Sequence, residues 1–483
     1  MRDGHARGHQ GGRARVRAPG LWLIRSLRHV GATPGCLIGA GGEPVHEGGR
    51  EPARVDAAVG WRLMAVAAPP GSLTEPSALA LAAAIRAGET SASEVVDAHI
   101  EVLRRAQARS RPLALERFAE AREEAAAADE EIAGAASAEE LPPLVGIPCT
   151  IKESIAVRGM PNCSGLASRR DYRCTETAPS AQRLLDAGAI LLGVTNTSEL
   201  TLWIESSNRV YGRTSNIYDP TRTAGGSSGG EGVAVASGGS PIGLGTDFGG
   251  SIRLPASSVV LGDPDTISVD GLEVVLFEAT SRIPARRELR DARDRAAGEL
   301  EAAGARVRRE PMKDMRRALE LYLAAAAAWS ETGARDILDQ AGAEFSWRRA
   351  LSRKSPHTAA LLLLLAVERP AGRMVRRTRR ALAAAVALAR EVAARIGDGV
   401  LLHPPFPRVA PRHGATVGRP WVIANAAVFN LIGLPVTQVP LGLGQRGLPL
   451  GVQVVAGRGR DHQTIAVALE LERRLGGWVP PSW

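Results

Sequence analysis

The chain has 483 residues, 45% of them hydrophobic, enough for a large core, and its most apolar run, Ala359 to Val367, falls well short of the roughly 18 residues that cross a bilayer. Of the formal charge of +9, the first 63 residues supply +5, with ten arginines against Asp3, Glu43, Glu47, Glu51 and Asp56; the remainder shows no basic and aromatic interleaving, which argues against a nucleic-acid partner. The four cysteines, Cys36, Cys149, Cys163 and Cys174, include no C-x-x-C pair, so neither a zinc site nor a disulfide framework is indicated, and a reducing cytoplasm fits best.

Residues 1–63 are rich in Gly and Arg, without helical or strand periodicity and without the apolar stretch of a secretory signal. They read as a disordered basic tail, an organelle-targeting leader or, the favoured reading, a start assigned upstream of ordered sequence that begins near Met64. Pro76 then opens a helix with Leu79, Leu81 and Ile85, stopped by Gly88. Ser91 and Glu94 have the spacing of a capping box for a second helix, with Val96, Ile100 and Leu103 on one face. Leu144 to Lys152 and Ala189 to Val194 read as buried strands, separated by a helix from Ser180 to Ala187 that Gly188 closes. After a glycine-rich centre, helices are expected over Ala285 to Ala303, Leu382 to Ile396, Trp421 to Leu431 and Asp461 to Leu475. Strands are expected over Pro435 to Pro440 and Pro449 to Val455. Alternating strands and helices point to an α/β fold.

The glycine-rich centre carries the chemistry. Gly225-Gly226-Ser227-Ser228-Gly229-Gly230 encloses two serines in four glycines, with a helix expected from Glu231 to Ser237, and such a loop can present hydroxyls without crowding a site. A flexible linker and a phosphate-binding loop are the alternatives. Apolar strands on both sides disfavour the first, and the absence of a lysine after the glycines disfavours the second. Downstream, Ser251 follows Phe248-Gly249-Gly250 at the end of an apolar strand, where consecutive backbone N–H groups can converge as an oxyanion hole requires. A plain glycine turn with a surface serine is the bland reading. No histidine lies near either motif: His99, His357, His403, His413 and His462 are all distant in sequence. Lysine can replace histidine as the base. Lys152, one of only three lysines among sixty basic residues, ends an apolar run where desolvation would lower its pKa and free the neutral amine.

These residues resemble the amidase-signature enzymes and, within them, the fatty-acid-amide-hydrolase type. Lys152, Ser227 and Ser251 have that family's spacing; the likeness covers most of residues 70–260, resumes near Pro284 and includes Gly433-Leu434-Pro435-Val436 and Gly447-Leu448-Pro449-Leu450-Gly451-Val452-Gln453. The resemblance implies a single domain over residues 64–483, with a mixed, twisted β-sheet core covered by α-helices on both faces. It implies hydrolysis of a carboxamide, a fatty-acid amide or another small amide or ester, by a Ser-Ser-Lys triad through an acyl-enzyme. Carried over by position, Ser251 is the nucleophile, Ser227 a bridging serine after a cis peptide bond, and Lys152 the base. Backbone N–H groups of Phe248, Gly249, Gly250 and Ser251 hold the oxyanion. A small-molecule amide is the implied partner, with no metal or organic cofactor.

The likeness breaks after Arg253-Leu254-Pro255-Ala256-Ser257. From Ser258 to Asp265 the chain reads as the far side of a family block joined to its near side, so a core segment near 258–262 is expected to be missing, through an internal deletion or a gene-prediction error. Two other functional readings follow: a glutamyl-tRNA amidotransferase A-type subunit, which would require partner subunits, and a catalytically impaired remnant. Leu361 to Val367 and a helix near Leu319 to Trp329 are candidates for an acyl channel or membrane-surface contact, with ordinary core as the plainer reading. Substrate identity and oligomeric state are not legible, and a homodimer is compatible with the sequence.

Overall fold

A computed structural model describes residues 72–482, apart from 139, 253–263, 282, 330–332, 344, 347, 349–351, 353 and 372–374. The expectations for residues 1–63 and for a missing segment near 258–262 lie outside the described residues.

Caps set the first boundaries. Ser77 accepts from the Ala80 N–H at the head of α1 (Ala78–Arg86), and Ser91 and Glu94 form the expected capping box on α2 (Ala92–Ser110). Val96, Ile100 and Leu103 of α2 are buried, as are Leu81 and Ile85 of α1. Leu79 is exposed instead, because a position two residues from Leu81 falls on the opposite side of the helix. The chain continues through β1 (Leu113–Glu116), α3 (Phe118–Gly134), β2 (Pro148–Lys152), α4 (Pro179–Asp186), β3 (Ile190–Thr195), a short hairpin of β4 (Ser207–Asn208) and β5 (Gly212–Arg213), α5 (Gly229–Ala236) and β6 (Ile242–Leu244). The strand expected from Leu144 starts only at Pro148, since the Val145 and Ile147 N–H groups are spent in a turn on the Pro142 and Leu144 carbonyls.

The second half runs β7 (Glu273–Glu278), α6 (Arg287–Ala302), β8 (Arg306–Pro311), α7 (Ala318–Trp329), α8 (Ala334–Gln340), α9 (Ala359–Ala371), α10 (Val375–Ile396), β9 (Val400–His403), α11 (Ala424–Ile432), β10 (Val436–Leu443), β11 (Pro449–Ala456) and α12 (Asp461–Leu475). Among the described residues the strands form two principal sheets, ordered β1-β3-β2-β6 and β10-β11-β9-β7-β8. Both are mixed: β1 runs antiparallel to β3 while β2 pairs parallel with β3 and β6, and β7 pairs parallel with β8 and β9 while β10, β11 and β9 are antiparallel.

Alternation along the strands covers both faces with helices. Val274 and Leu276 pack with Leu289, Ala296 and Val467 of α6 and α12, whereas Val275 and Phe277 pack with Leu321 of α7 and Phe429 of α11. In the first sheet Ile190 and Leu192 meet α2 and α3, and Cys149 and Ile151 meet Ala181 of α4. The segments proposed to line a channel supply core: Leu361 and Leu365 join Leu166, Ala334 and Leu338, and Leu321 and Ala325 enter the cluster under β7, although Leu323 is exposed. No helix among the described residues is long and apolar enough to cross a membrane.

Candidate active site

Strand parity places the lysine. Cys149 and Ile151 of β2 face the α4 side, so Thr150 and Lys152 face the other side, where α5 lies. Lys152 has no exposed surface. Its Nζ lies 2.7 Å from Ser227 Oγ and 2.7 Å from Thr246 Oγ1. A neutral amine offers one lone pair and two N–H groups, so it can accept from the Ser227 hydroxyl while donating to Thr246. Burial drives the Lys152 pKa down to about 7, against the opposing pull of the Asp247, Glu231 and Glu153 carboxylates.

Ser227 stands just before α5, after a cis Gly226-Ser227 peptide bond. Two glycines are there for lack of room: a Cβ on Gly226 would lie 2.7 Å from the Glu205 nitrogen, and one on Gly230 would lie 2.5 Å from the Asn196 nitrogen and the Pro112 oxygen. Ser206 fixes the turn from outside, donating to the Ser227 carbonyl at 2.9 Å and accepting from the Gly229 N–H at 2.7 Å. Glu231, buried in the first turn of α5, accepts from Thr150 of β2 and, at 2.6 Å, from Thr195 of β3. Lys152 and Thr195 are register partners, so this carboxyl spans the strand that carries the lysine and its neighbour β3. Burial raises its pKa to about 7, while hydrogen bonds from Thr150 and Thr195 and the Lys152 charge act to lower it.

The Ser251 loop reaches the same place through β6. Leu244 pairs with Ile151, so the chain leaving β6 passes beside Lys152 and brings Thr246 to it. Asp247 then folds the loop back on itself, accepting from the N–H groups of Gly250 at 2.7 Å and Ile252 at 2.9 Å. Ser251 is buried, and its carbonyl accepts from the Ser228 N–H at 3.2 Å, tying the two serine segments together. The side chains are less complete: Lys152 and Ser227 are joined, but no hydrogen bond links the hydroxyls of Ser227 and Ser251. Among the expected oxyanion donors, Phe248, Gly249 and Ser251 give their N–H groups to no described partner, whereas the Gly250 N–H is engaged by Asp247. No histidine among the described residues hydrogen-bonds to either serine; His357, for example, bonds to Glu199 at 2.8 Å.

Four positions escaped the sequence reading. Thr246 and Asp247 sit within the Ser251 motif, but nothing local says where their side chains turn. Asn430 and Tyr322 come from α11 and α7, where Asn430 donates to Asp247 and Tyr322 donates to the Phe248 carbonyl.

The arrangement can move a proton from a buried hydroxyl to an amine and hold a serine beside peptide N–H donors. The sequence profile of the family described as amidase matches residues 94–261 and 264–465. Human fatty-acid amide hydrolase 2 is 34% identical over 493 aligned positions, covering 86% of this chain and 92% of its own. Fatty-acid amide hydrolase 2-B of Danio rerio is 34% identical, with coverages of 84% and 90%. A solved structure described as an amidase superposes with a TM-score of 0.68 at 26% identity, covering 83% of this chain and 100% of that one.

Proposed function

This chain belongs to the amidase family and is a hydrolase acting on amides; from that premise we propose that it works through an acyl-enzyme on Ser251, with Ser227 as bridge and Lys152 as base. The observation that carries the assignment is the fully buried Lys152 Nζ at 2.7 Å from Ser227 Oγ. Neutral Lys152 takes the proton of Ser227 as Ser227 takes that of Ser251, and Ser251 Oγ adds to the substrate carbonyl. The relay requires Ser251 Oγ to close on Ser227 Oγ, a link of the kind that tightens as the carbonyl enters. The oxyanion rests on peptide N–H groups of the 248–251 segment. On collapse, the C–N bond breaks and the proton on Lys152 returns through Ser227 to the leaving nitrogen, since an amide nitrogen leaves poorly as an anion. Water then releases the acyl group by the same relay.

Likeness to fatty-acid amide hydrolases across most of both chains supports a long-chain acyl amide as substrate. It favours a self-sufficient hydrolase over an amidotransferase subunit. A break in the family match between 261 and 264 supports a shortened core beside the site. A cytoplasmic homodimer completes the proposal. The test is a fluorophosphonate probe: Ser251 becomes labelled in the wild-type chain and not in Ser251→Ala, and folded protein without labelling overturns the assignment. Gel filtration of the same protein checks the dimer.

A further inference from the structure

Two side chains of the second half grip the loop that carries Ser251, and both take hold of main-chain carbonyls. Asn430 Nδ2, on α11, donates to the Asp247 carbonyl at 3.1 Å and to its carboxylate Oδ1 at 2.9 Å. The Tyr322 hydroxyl, on α7, donates to the Phe248 carbonyl at 3.2 Å. These are successive peptide units, both trans. A trans peptide is planar, with its C=O and N–H pointing opposite ways, so fixing one fixes the other. Holding the Asp247 carbonyl therefore aims the Phe248 N–H, and holding the Phe248 carbonyl aims the Gly249 N–H. The next N–H, that of Gly250, is turned onto Asp247 Oδ1.

The support is rigid. Tyr322 is buried, and α7 and α11 contribute to one apolar cluster with Phe277 and Val455 of the sheet. The Tyr322 and Phe248 rings stand 5.6 Å apart, and a Cβ on Gly249 would lie 2.6 Å from the Tyr322 oxygen, so that glycine is what lets the hydroxyl reach the main chain. We infer that Tyr322 and Asn430 are the positioning residues of the oxyanion hole, and that its aimed donors are the N–H groups of Phe248 and Gly249, with the Gly250 N–H serving as a loop brace. This rests on the acyl-enzyme reading above. It assigns the part of the chain from β7 onward a role in the reaction, although Lys152, Ser227 and Ser251 all precede β7.

Tyr322→Phe removes one oxygen and keeps the ring; Asn430→Ala removes the second grip. Turnover of a fatty-acyl p-nitroanilide, affinity for a trifluoromethyl ketone with the same acyl chain, and hydrogen–deuterium exchange over residues 245–252 are measured for each. The ketone carbon accepts Ser251 Oγ, its π electrons become the oxyanion, and the serine proton passes through Ser227 to Lys152, so its affinity reads the hole. In each variant kcat should fall about tenfold to a hundredfold with KM within about twofold, ketone affinity should fall in parallel, and loop exchange should rise. Wild-type kcat and ketone affinity in both variants would overturn the inference, as would loop exchange equal to wild type. Exchange decides the clamp even if the wild-type chain turns over no amide: a loosened loop then supports the clamp while the acyl-enzyme reading falls, and an unchanged loop sinks both.

Discussion

A lysine can act as a base near neutrality only if its environment removes the proton, and here the size of that effect can be worked out. With the Lys152 pKa at about 7 rather than 10.5, about nine in ten of these side chains are neutral at pH 8, against roughly one in 300 for an ordinary lysine. Between about pH 6 and 8 the neutral fraction rises about tenfold and then levels off. The rate of Ser251 labelling by a fluorophosphonate, followed beside kcat/KM for an amide, should trace that curve, half-maximal near neutrality. Lys152→Met keeps the bulk of the side chain and removes the amine, so it should lower the rate by about a hundredfold to ten-thousandfold throughout and erase the rise. A half-point in the carboxylate range or near that of a free lysine would refute the reasoning. So would a Lys152→Met protein that keeps the wild-type profile.

Further outcomes follow from the same contacts. Because the folded Lys152 pKa lies below the unfolded value, the unfolded chain binds more protons between those two pH values, and wild-type stability should rise with pH across that window by up to about 1.4 kcal/mol per pH unit. The stability of Lys152→Met relative to wild type should therefore be highest below pH 7 and fall as pH rises, in thermal melts; the reverse order would refute the buried-charge account. Glu231 holds the Lys152 proton on, so Glu231→Gln should move the acid limb of kcat/KM to lower pH, and an upward shift would contradict the electrostatics. Gly249→Ala would drive a methyl to 2.6 Å from the Tyr322 oxygen and 3.2 Å from its ring carbon. Turnover should drop at least about tenfold, and adding Tyr322→Phe should then cost much less than it does in the wild-type background, since removing the obstructing atom relieves the overpacking; losses that simply multiply in the double variant would show that the clash lies elsewhere.

What could be read from the sequence divides by the range of the cause. The Ser91–Glu94 box, the α12 helix from Asp461 and the glycine loop around Ser227 are set by neighbours within a few residues, and their signatures are local. Other elements were hidden because their stabilising partners are distant. β8 reads as Arg-Val-Arg-Arg-Glu-Pro, with polar residues where a buried strand would be apolar, and is a strand because β7 pairs with it in parallel along its length. The catalytic candidates were legible through their glycine settings and spacing. Asn430 was not, because its partner Asp247 lies 183 positions away and a lone asparagine in an apolar helix carries no mark of that contact. Tyr322 was read only as part of an apolar segment, since its ring is core and its one hydroxyl supplies the contact.

The scarcity of lysine has a practical sequel. Lys313 and Lys354 stand exposed, and Lys152 is the one lysine shut inside the protein. A mild acylating or carbamylating reagent should therefore modify the two outer lysines of the native chain and spare the inner one until the fold opens. The chain carries its own tracer: a mass shift on the peptide containing Lys152 reports, in a single spectrum, what fraction of a preparation has the fold around Lys152 open, with no substrate needed.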